Sequence, residues 1–301
     1  MVFERFLKFV KKETNIVIVG LDGAGKTSIL RFLQYGSSVS TEPTLGYDIE
    51  EISIFGLKVR VWDMGGQKQF RKLWGEHVEK SDAIIYVIDG SDHKRLDEAK
   101  NEFWKIYKHV KPNVPIAFVI NKIDLPNVIR EGELIERFEL SKIKDNPLQI
   151  FRTSAKYGFG IIHLFGWIYR KITGKLVKMN VTIDDFILLN NKHEPIVSLL
   201  RDKDIPTDYI TLLTNILSNL QLSGDNTYSF ATMETMKRKF ILYKYDDLIG
   251  LAITPQNEED VLVQHVIERV LKELKEENIN IENINSQILK EKLDKALFLG
   301  G

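Results

Sequence analysis

Gly20-Leu21-Asp22-Gly23-Ala24-Gly25-Lys26-Thr27-Ser28 decides how the first part of this 301-residue chain folds. The run lies between an apolar strand-like segment, residues 15–19, and a helix-like one, residues 29–33. Strand, G-x-x-x-x-G-K-[ST], helix is the context that marks a phosphate-binding loop. Its glycines let successive backbone N–H groups curl inward toward phosphate oxygens, and the helix N-terminus adds its positive dipole end. Asp22, Gly23, Ala24, Gly25, Lys26, Thr27 and Ser28 are therefore expected to line a nucleotide site. Lys26 would reach the β- and γ-phosphates, and Thr27 would offer its hydroxyl to Mg²⁺. A Gly-rich turn before an ordinary helix is the bland alternative; strand, loop and helix all being in place argue against it.

Two later runs bear on the base. Asn121-Lys122-Ile123-Asp124 follows the apolar residues 115–120 directly. In an open parallel α/β sheet, ligands lie beyond the carboxyl ends of the strands. A carboxylate at Asp124 can accept from the N1–H and the exocyclic amine of guanine, whereas adenine offers no such donor pair and would leave it unsatisfied. The strand-like residues 148–151 lead into Thr153-Ser154-Ala155-Lys156, where the Ala155 N–H could donate to guanine O6, with Ser154 and Lys156 beside it. Each tetrapeptide alone is an ordinary turn; their order after a phosphate loop carries the reading. A P-loop ATPase is disfavoured by Asp124.

The third element is Val61-Trp62-Asp63-Met64-Gly65-Gly66-Gln67. Asp63 closes an alternating strand that starts at Leu57 and would hold Mg²⁺ through water. The Gly66 N–H could bond the γ-phosphate, and Gln67 could orient an attacking water. Between the motifs, Thr44 is the natural second hydroxyl ligand to Mg²⁺. Gln67, Lys26 and Thr44 form the expected catalytic set.

Pro43-Thr44-Leu45-Gly46-Tyr47, the residues 62–67 run, Arg71-Lys72-Leu73-Trp74, residues 121–127 and the Leu-Asp-Gly-Ala within the phosphate loop resemble the Arf and Arf-like branch of the small Ras-type GTPases. The resemblance spans roughly residues 1–174. It implies a GTP/GDP switch whose mobile segments are about 37–47 and 64–78. The hairpin 48–60 would be the interswitch that slides between nucleotide states. It also implies an exchange factor, a GTPase-activating protein in trans, and effectors at the switch regions. Tyr47 and Trp62 match two of the family's effector-contacting aromatic positions; the third position is His77, a departure.

At the N-terminus Phe3, Phe6, Leu7 and Val10 fall on one helical face, with Arg5, Lys8, Lys11 and Lys12 elsewhere. This is the pattern of an interfacial membrane helix; packing in a groove of the core is the equal alternative. Residue 2 is Val, so the family's myristoylation site is missing, and the absence of cysteine removes palmitoyl and prenyl anchors.

Lys+Arg and Asp+Glu are 42 each, so nothing points to nucleic-acid binding. Zero cysteine removes disulfides and thiolate metal sites. Histidines 77, 93, 109, 163, 193 and 265 show no ligand spacing and read as structural or solvated. No apolar run reaches membrane-spanning length, and no secretory signal is evident. The expected location is cytoplasmic, with peripheral contact at a membrane through the N-terminal helix.

Beyond Thr173-Gly174 the pattern changes. Residues 185–190 and 195–200 read as strands around a polar turn, 207–220 as a helix, 228–232, 239–245 and 248–254 as three strands, and 258–274 as a second helix with an acidic first turn. The order β-β-α-β-β-β-α resembles the longin and roadblock-like α/β domains, which serve as partner or dimerisation surfaces. No second catalytic constellation is visible; acids and lysines in this half read as solvated faces.

The expected fold class is α/β: a P-loop GTPase domain with a mostly parallel sheet, and a smaller longin-like domain with an antiparallel sheet. The expected organisation is an N-terminal amphipathic helix at 1–14, the GTPase domain at 15–175, an interaction domain at 180–278 and a helical tail at 279–301. The function expected is a GTP-binding switch that hydrolyses GTP slowly. No arginine is placed by a motif as an internal finger, so hydrolysis would need help in trans. The alternative is a nucleotide-gated scaffold with negligible turnover, acting through its C-terminal domain.

Overall fold

A computed structural model describes residues 14–35, 41–54, 57–200, 228–235, 238–277, 279 and 283–299. The N-terminal helix expected at 1–14 therefore lies almost wholly outside the described residues, as does the helix expected at 207–220. The chain divides into two units, one running to Val177 and the other covering Lys178–Leu299.

In the first unit the elements follow one another as β1 (Thr14–Val19), α1 (Lys26–Tyr35), β2 (Tyr47–Ile54), β3 (Leu57–Met64), α2 (Trp74–Glu79), β4 (Ala83–Asp89), α3 (Leu96–Tyr107), β5 (Ile116–Asn121), α4 (Glu131–Phe138), β6 (Leu148–Arg152) and α5 (Ile161–Thr173). They form a six-stranded sheet in the order β2-β3-β1-β4-β5-β6. Only β2 runs antiparallel, paired with β3 from Tyr47↔Met64 to Ile54↔Leu57. The parallel strands are near-continuous apolar runs such as Ala83-Ile84-Ile85-Tyr86-Val87-Ile88, as strands covered on both faces must be; β4 and β5 are buried along almost their whole length. Register places the carboxyl ends side by side: Ile18 opposite Asp63, and Asp89 opposite Asn121. The loops that follow β1, β3 and β5 thus open on one edge, where ligands of open α/β sheets bind. Helix α5 stops at Gly174, whose φ of 70° is the left-handed C-terminal cap, with its N–H donating to Arg170 O at 2.8 Å.

After the two-residue strand β7 (Val177–Lys178), the second unit contains β8 (Asp185–Asn190), β9 (Pro195–Leu200), β10 (Tyr228–Glu234), β11 (Arg238–Tyr245), β12 (Leu248–Pro255), α6 (Asp260–Glu276), α7 (Ser286–Ala296) and β13 (Phe298–Leu299). Its sheet has the order β10-β11-β12-β8-β9, every pair antiparallel. Gly250 of β12 lies under α6: a Cβ there would come within 2.3 Å of Ile267 Cγ2. Strand residues alternate between faces. Accordingly Ile187, Leu189, Phe240, Leu242, Ile249, Leu251 and Ile253 cluster on the other side of the sheet. The tail helix α7 starts at Asn285, whose Oδ1 accepts from the N–H groups of Gln287 and Ile288, both at 3.0 Å, and it packs on α6.

The charged residues of this unit correct the sequence reading. Asp185, Lys239, Arg269 and Lys292 are buried rather than solvated. Burial is tolerated because each is paired. Arg238 reaches Asp185 at 3.3 Å, Lys239 donates to Glu258 O and to Asp260, Arg269 to Phe298 O, and Lys292 to Glu277.

Candidate functional site

The phosphate-loop turn connects β1 to α1. Gly25 sits at φ +89°, and a Cβ there would fall 2.3 Å from Asn121 Nδ2, so a side chain is excluded on both counts. Lys26 folds back over the loop and donates from Nζ to Gly20 O and Leu21 O, both at 2.9 Å. It is almost fully buried. Desolvation pushes its ammonium down to about 8, against the opposing pull of Asp63 and Asp22.

Beside Lys26, three oxygens converge. Thr27 Oγ1 donates to Asp63 Oδ2 at 2.5 Å, Thr44 Oγ1 donates to the same oxygen at 3.3 Å, and the two hydroxyls are 3.0 Å apart. Asp63 is 1 % exposed, and its Oδ1 has no hydrogen-bond partner among the described residues. Burial pushes the carboxyl up, partly offset by the Thr27 hydrogen bond and the Lys26 charge. A buried carboxylate with two hydroxyls on one oxygen and its other oxygen unpartnered among the described residues is the donor set of a small hard cation that keeps phosphate or water in its remaining positions, so the residues present fit Mg²⁺.

The switch-like segments meet this trio. The Gly65 N–H donates to Gly46 O at 2.8 Å, and Trp74 Nε1 to Gly65 O at 3.1 Å. Gly66 lies hard against the phosphate loop: a Cβ there would be 2.1 Å from Asp22 N. Gln67 is half-buried, and its Oε1 accepts from Gln69 Nε2 at 3.3 Å.

The two base-side runs also come together. Asn121 Nδ2 donates to Ala24 O at 2.9 Å, and its Oδ1 accepts from Thr153 Oγ1 at 3.0 Å and from Ala155 N at 3.2 Å. Asn121 thereby ties β5, the phosphate loop and the 153–156 turn into one wall. Ser154 Oγ donates to Asp124 Oδ1 at 2.5 Å. Lys122 occupies a left-handed backbone position, φ 64°, and ion-pairs with Asp89 at 2.7 Å. The Ala155 N–H, expected to face the base, is engaged by Asn121 here. Lys156 and Ser28 lie at the rim: Lys156 is exposed with its ammonium over the Tyr157 ring, and the Ser28 hydroxyl is 3.3 Å from Thr41 Oγ1.

Sequence reasoning missed one group. Arg95, in the 3-10 turn His93–Arg95 ahead of α3, binds the Asp22 carboxylate at 2.8 Å, and Arg71 approaches the same carboxylate at 3.4 Å. These arginines lower the Asp22 carboxyl from its ordinary value, the Arg95 hydrogen bond contributing most. No motif marks Arg95; only the fold brings it to the loop. Outside the loop region, Tyr47, Trp62 and His77 form a ring cluster with centroids 4.4–5.5 Å apart, and burial pushes the His77 imidazolium down.

A six-stranded, mostly parallel sheet with a phosphate loop after its first strand defines the class, a P-loop GTPase-type α/β domain. The family model described as the ADP-ribosylation factor family matches residues 2–172. The chain is 37 % identical over 169 residues to ADP-ribosylation factor-like protein 3 of Chlamydomonas reinhardtii, covering 56 % of this chain and 96 % of that protein. It is 41 % identical over 162 residues to ADP-ribosylation factor 3 of Arabidopsis thaliana, covering 53 % and 88 %. Among solved structures, the Arl6 BBS3 small GTPase of Trypanosoma brucei with the bound nucleotide analogue GppNp matches with a TM-score of 0.50 and 32 % identity, over 54 % of this chain and 99 % of that one. The chain belongs to the ADP-ribosylation factor family of small GTPases.

Proposed function

We propose that this chain is a two-domain molecular switch that binds GTP and GDP with Mg²⁺ and hydrolyses GTP slowly. One observation carries the reading: a single carboxyl edge of the sheet gathers the phosphate loop, the Thr27–Thr44–Asp63 oxygens and the Asn121–Asp124–Ser154 wall. In this reading the 22–28 loop and Gly66 bind phosphates. Thr27, Thr44 and Asp63 hold Mg²⁺, which when bound would neutralise charge on the phosphates. Asn121, Lys122, Asp124, Ser154, Ala155 and Lys156 surround guanine. Gln67 orients water, and Lys26 and Thr44 complete the catalytic set. Asp124 is oriented by Ser154, and its other oxygen would accept from the base.

An exchange factor and an activating protein would act in trans, and effectors would dock at the switch segments. The second domain, about residues 180–278 followed by the tail helix, is read as a longin- or roadblock-like partner or dimerisation module; its all-antiparallel β10-β11-β12-β8-β9 sheet with helices supports this. The proposed place of action is the cytoplasmic face of a membrane, reached through residues 1–12. Among the described residues no helix is long and apolar enough to cross a membrane.

Two measurements test the core reading. Titration of the purified protein with guanine and adenine nucleotides should give strong guanine preference; equal affinity sinks it. Single-turnover hydrolysis with and without cell extract should show a slow basal rate that extract accelerates. Binding with no turnover in either condition would favour the nucleotide-gated scaffold.

A further inference from the structure

Asp22 sets a carboxylate inside a loop otherwise built to attract phosphate. Its backbone lies directly beneath Gly66, the residue read as facing the terminal phosphate. Two arginines from different elements meet that carboxylate. Arg95 donates from Nη2 to Asp22 Oδ1 at 2.8 Å, from Nη1 to Oδ2 at 3.3 Å, and from Nη1 to the Asp22 carbonyl at 3.1 Å. Arg71 donates from Nη2 to Asp22 Oδ1 at 3.4 Å and from Nε to Gly66 O at 2.8 Å. Glu98 on α3 holds both, accepting from Arg71 at 2.8 Å and from Arg95 Nε at 2.9 Å. Glu102 adds a second acid 3.6 Å from Arg71 and accepts from Lys105. Acids and bases alternate, with three of each, and Arg71 is nearly fully buried in their midst.

We propose that Arg95, backed by Arg71, is a positioning residue that compensates the charge of Asp22, so that the relative affinity of this protein for a triphosphate and a diphosphate depends on Arg95. The inference rests on the reading of the site as a guanine-nucleotide site. Without the guanidinium, Asp22 confronts the additional charge of the terminal phosphate with its own, and like charges at short range repel. The diphosphate lacks that group and is affected less. A purely structural pair, fastening α3 to the loop, would weaken both nucleotides alike.

The test uses the full chain, with a fluorescent GDP and a fluorescent non-hydrolysable GTP analogue titrated in Mg²⁺ at low salt. Arg95→Gln should lower triphosphate affinity by about tenfold while diphosphate affinity changes little. The double variant Asp22→Asn/Arg95→Gln should recover the wild-type ratio, because no carboxylate remains to compensate. Equal loss for both nucleotides, or no recovery in the double variant, overturns the proposal. Should Arg95→Gln fail to fold, Asp22→Asn alone decides. Charge compensation requires its triphosphate affinity to equal or exceed wild type relative to diphosphate, and a relative fall overturns the idea. A wild-type chain that binds neither nucleotide would instead overturn the site reading on which the proposal stands.

Discussion

In the proposed function single side chains would carry the chemistry, and three of them allow sharp tests. In the proposed site, Asp124 is a carboxylate where guanine would present two donors. Asp124→Asn places a donor opposite a donor and removes charge-assisted bonds of about 1.5–3 kcal/mol each. Guanine affinity should fall by on the order of 10²-fold or more, and xanthine, which offers an acceptor there, should gain. Competition between the two nucleotides measures this; unchanged guanine preference removes Asp124 from the site. Gln67→Leu should leave nucleotide affinity intact and slow single-turnover hydrolysis by on the order of 10²-fold, since leucine cannot orient water. Lys26 gives a pH signature. In the free protein burial holds it at about 8, and a phosphate partner favours the charged form and pulls the value back up. Binding therefore takes up a proton at high pH. Affinity should be level below pH 8 and decline as pH rises through it; a flat profile to pH 9.5 would show that Lys26 is not the phosphate partner.

At the scale of elements, local pattern and local structure agree closely. The strands expected at 185–190 and 195–200 form with those bounds, and the three later strands form within two residues of their expected ends. Period-2 alternation and apolar runs mark strand faces without knowledge of partners. Helix α7 is the instructive case, because its core-facing contribution is small and its start depends on one cap. Asn285 satisfies two otherwise unpaired N–H groups. Asn285→Ala should destabilise the second unit by about 0.5–2 kcal/mol, read as a lower midpoint in urea unfolding with an unchanged slope. An unaltered midpoint would mean that the buried Lys292 and Leu289, rather than the cap, hold the helix.

For the whole molecule, the question is whether the GTPase cycle reaches a membrane. The basic, apolar-faced segment at residues 1–12 and the β2–β3 hairpin together motivate nucleotide-dependent release of the N-terminus. Liposome sedimentation with anionic vesicles should show more protein bound with a non-hydrolysable GTP analogue than with GDP, weakened by salt and lost on deleting residues 1–12. Equal partitioning in both states would mean that the segment only packs on the core. The sequence by itself determined the class of fold and most of the candidate site. Phosphate loop, Asp-x-Gly-Gly-Gln and Asn-Lys-x-Asp are contiguous runs whose chemistry is local, each following an apolar strand that a buried parallel sheet demands. It also determined the five strands of the second half and the helix that follows them; the helix expected at 207–220 lies outside the described residues. Only tertiary structure decided what depends on contacts between distant residues. Asp22 and Arg95 are 73 positions apart, joined because β1 and β4 are neighbours in the sheet and each feeds a loop at the same edge. The buried ion pairs of the second unit were equally illegible, because a charged residue looks alike in sequence whether water or a partner satisfies it. Pairing is a property of the packed sheet and helices, and no periodicity encodes it.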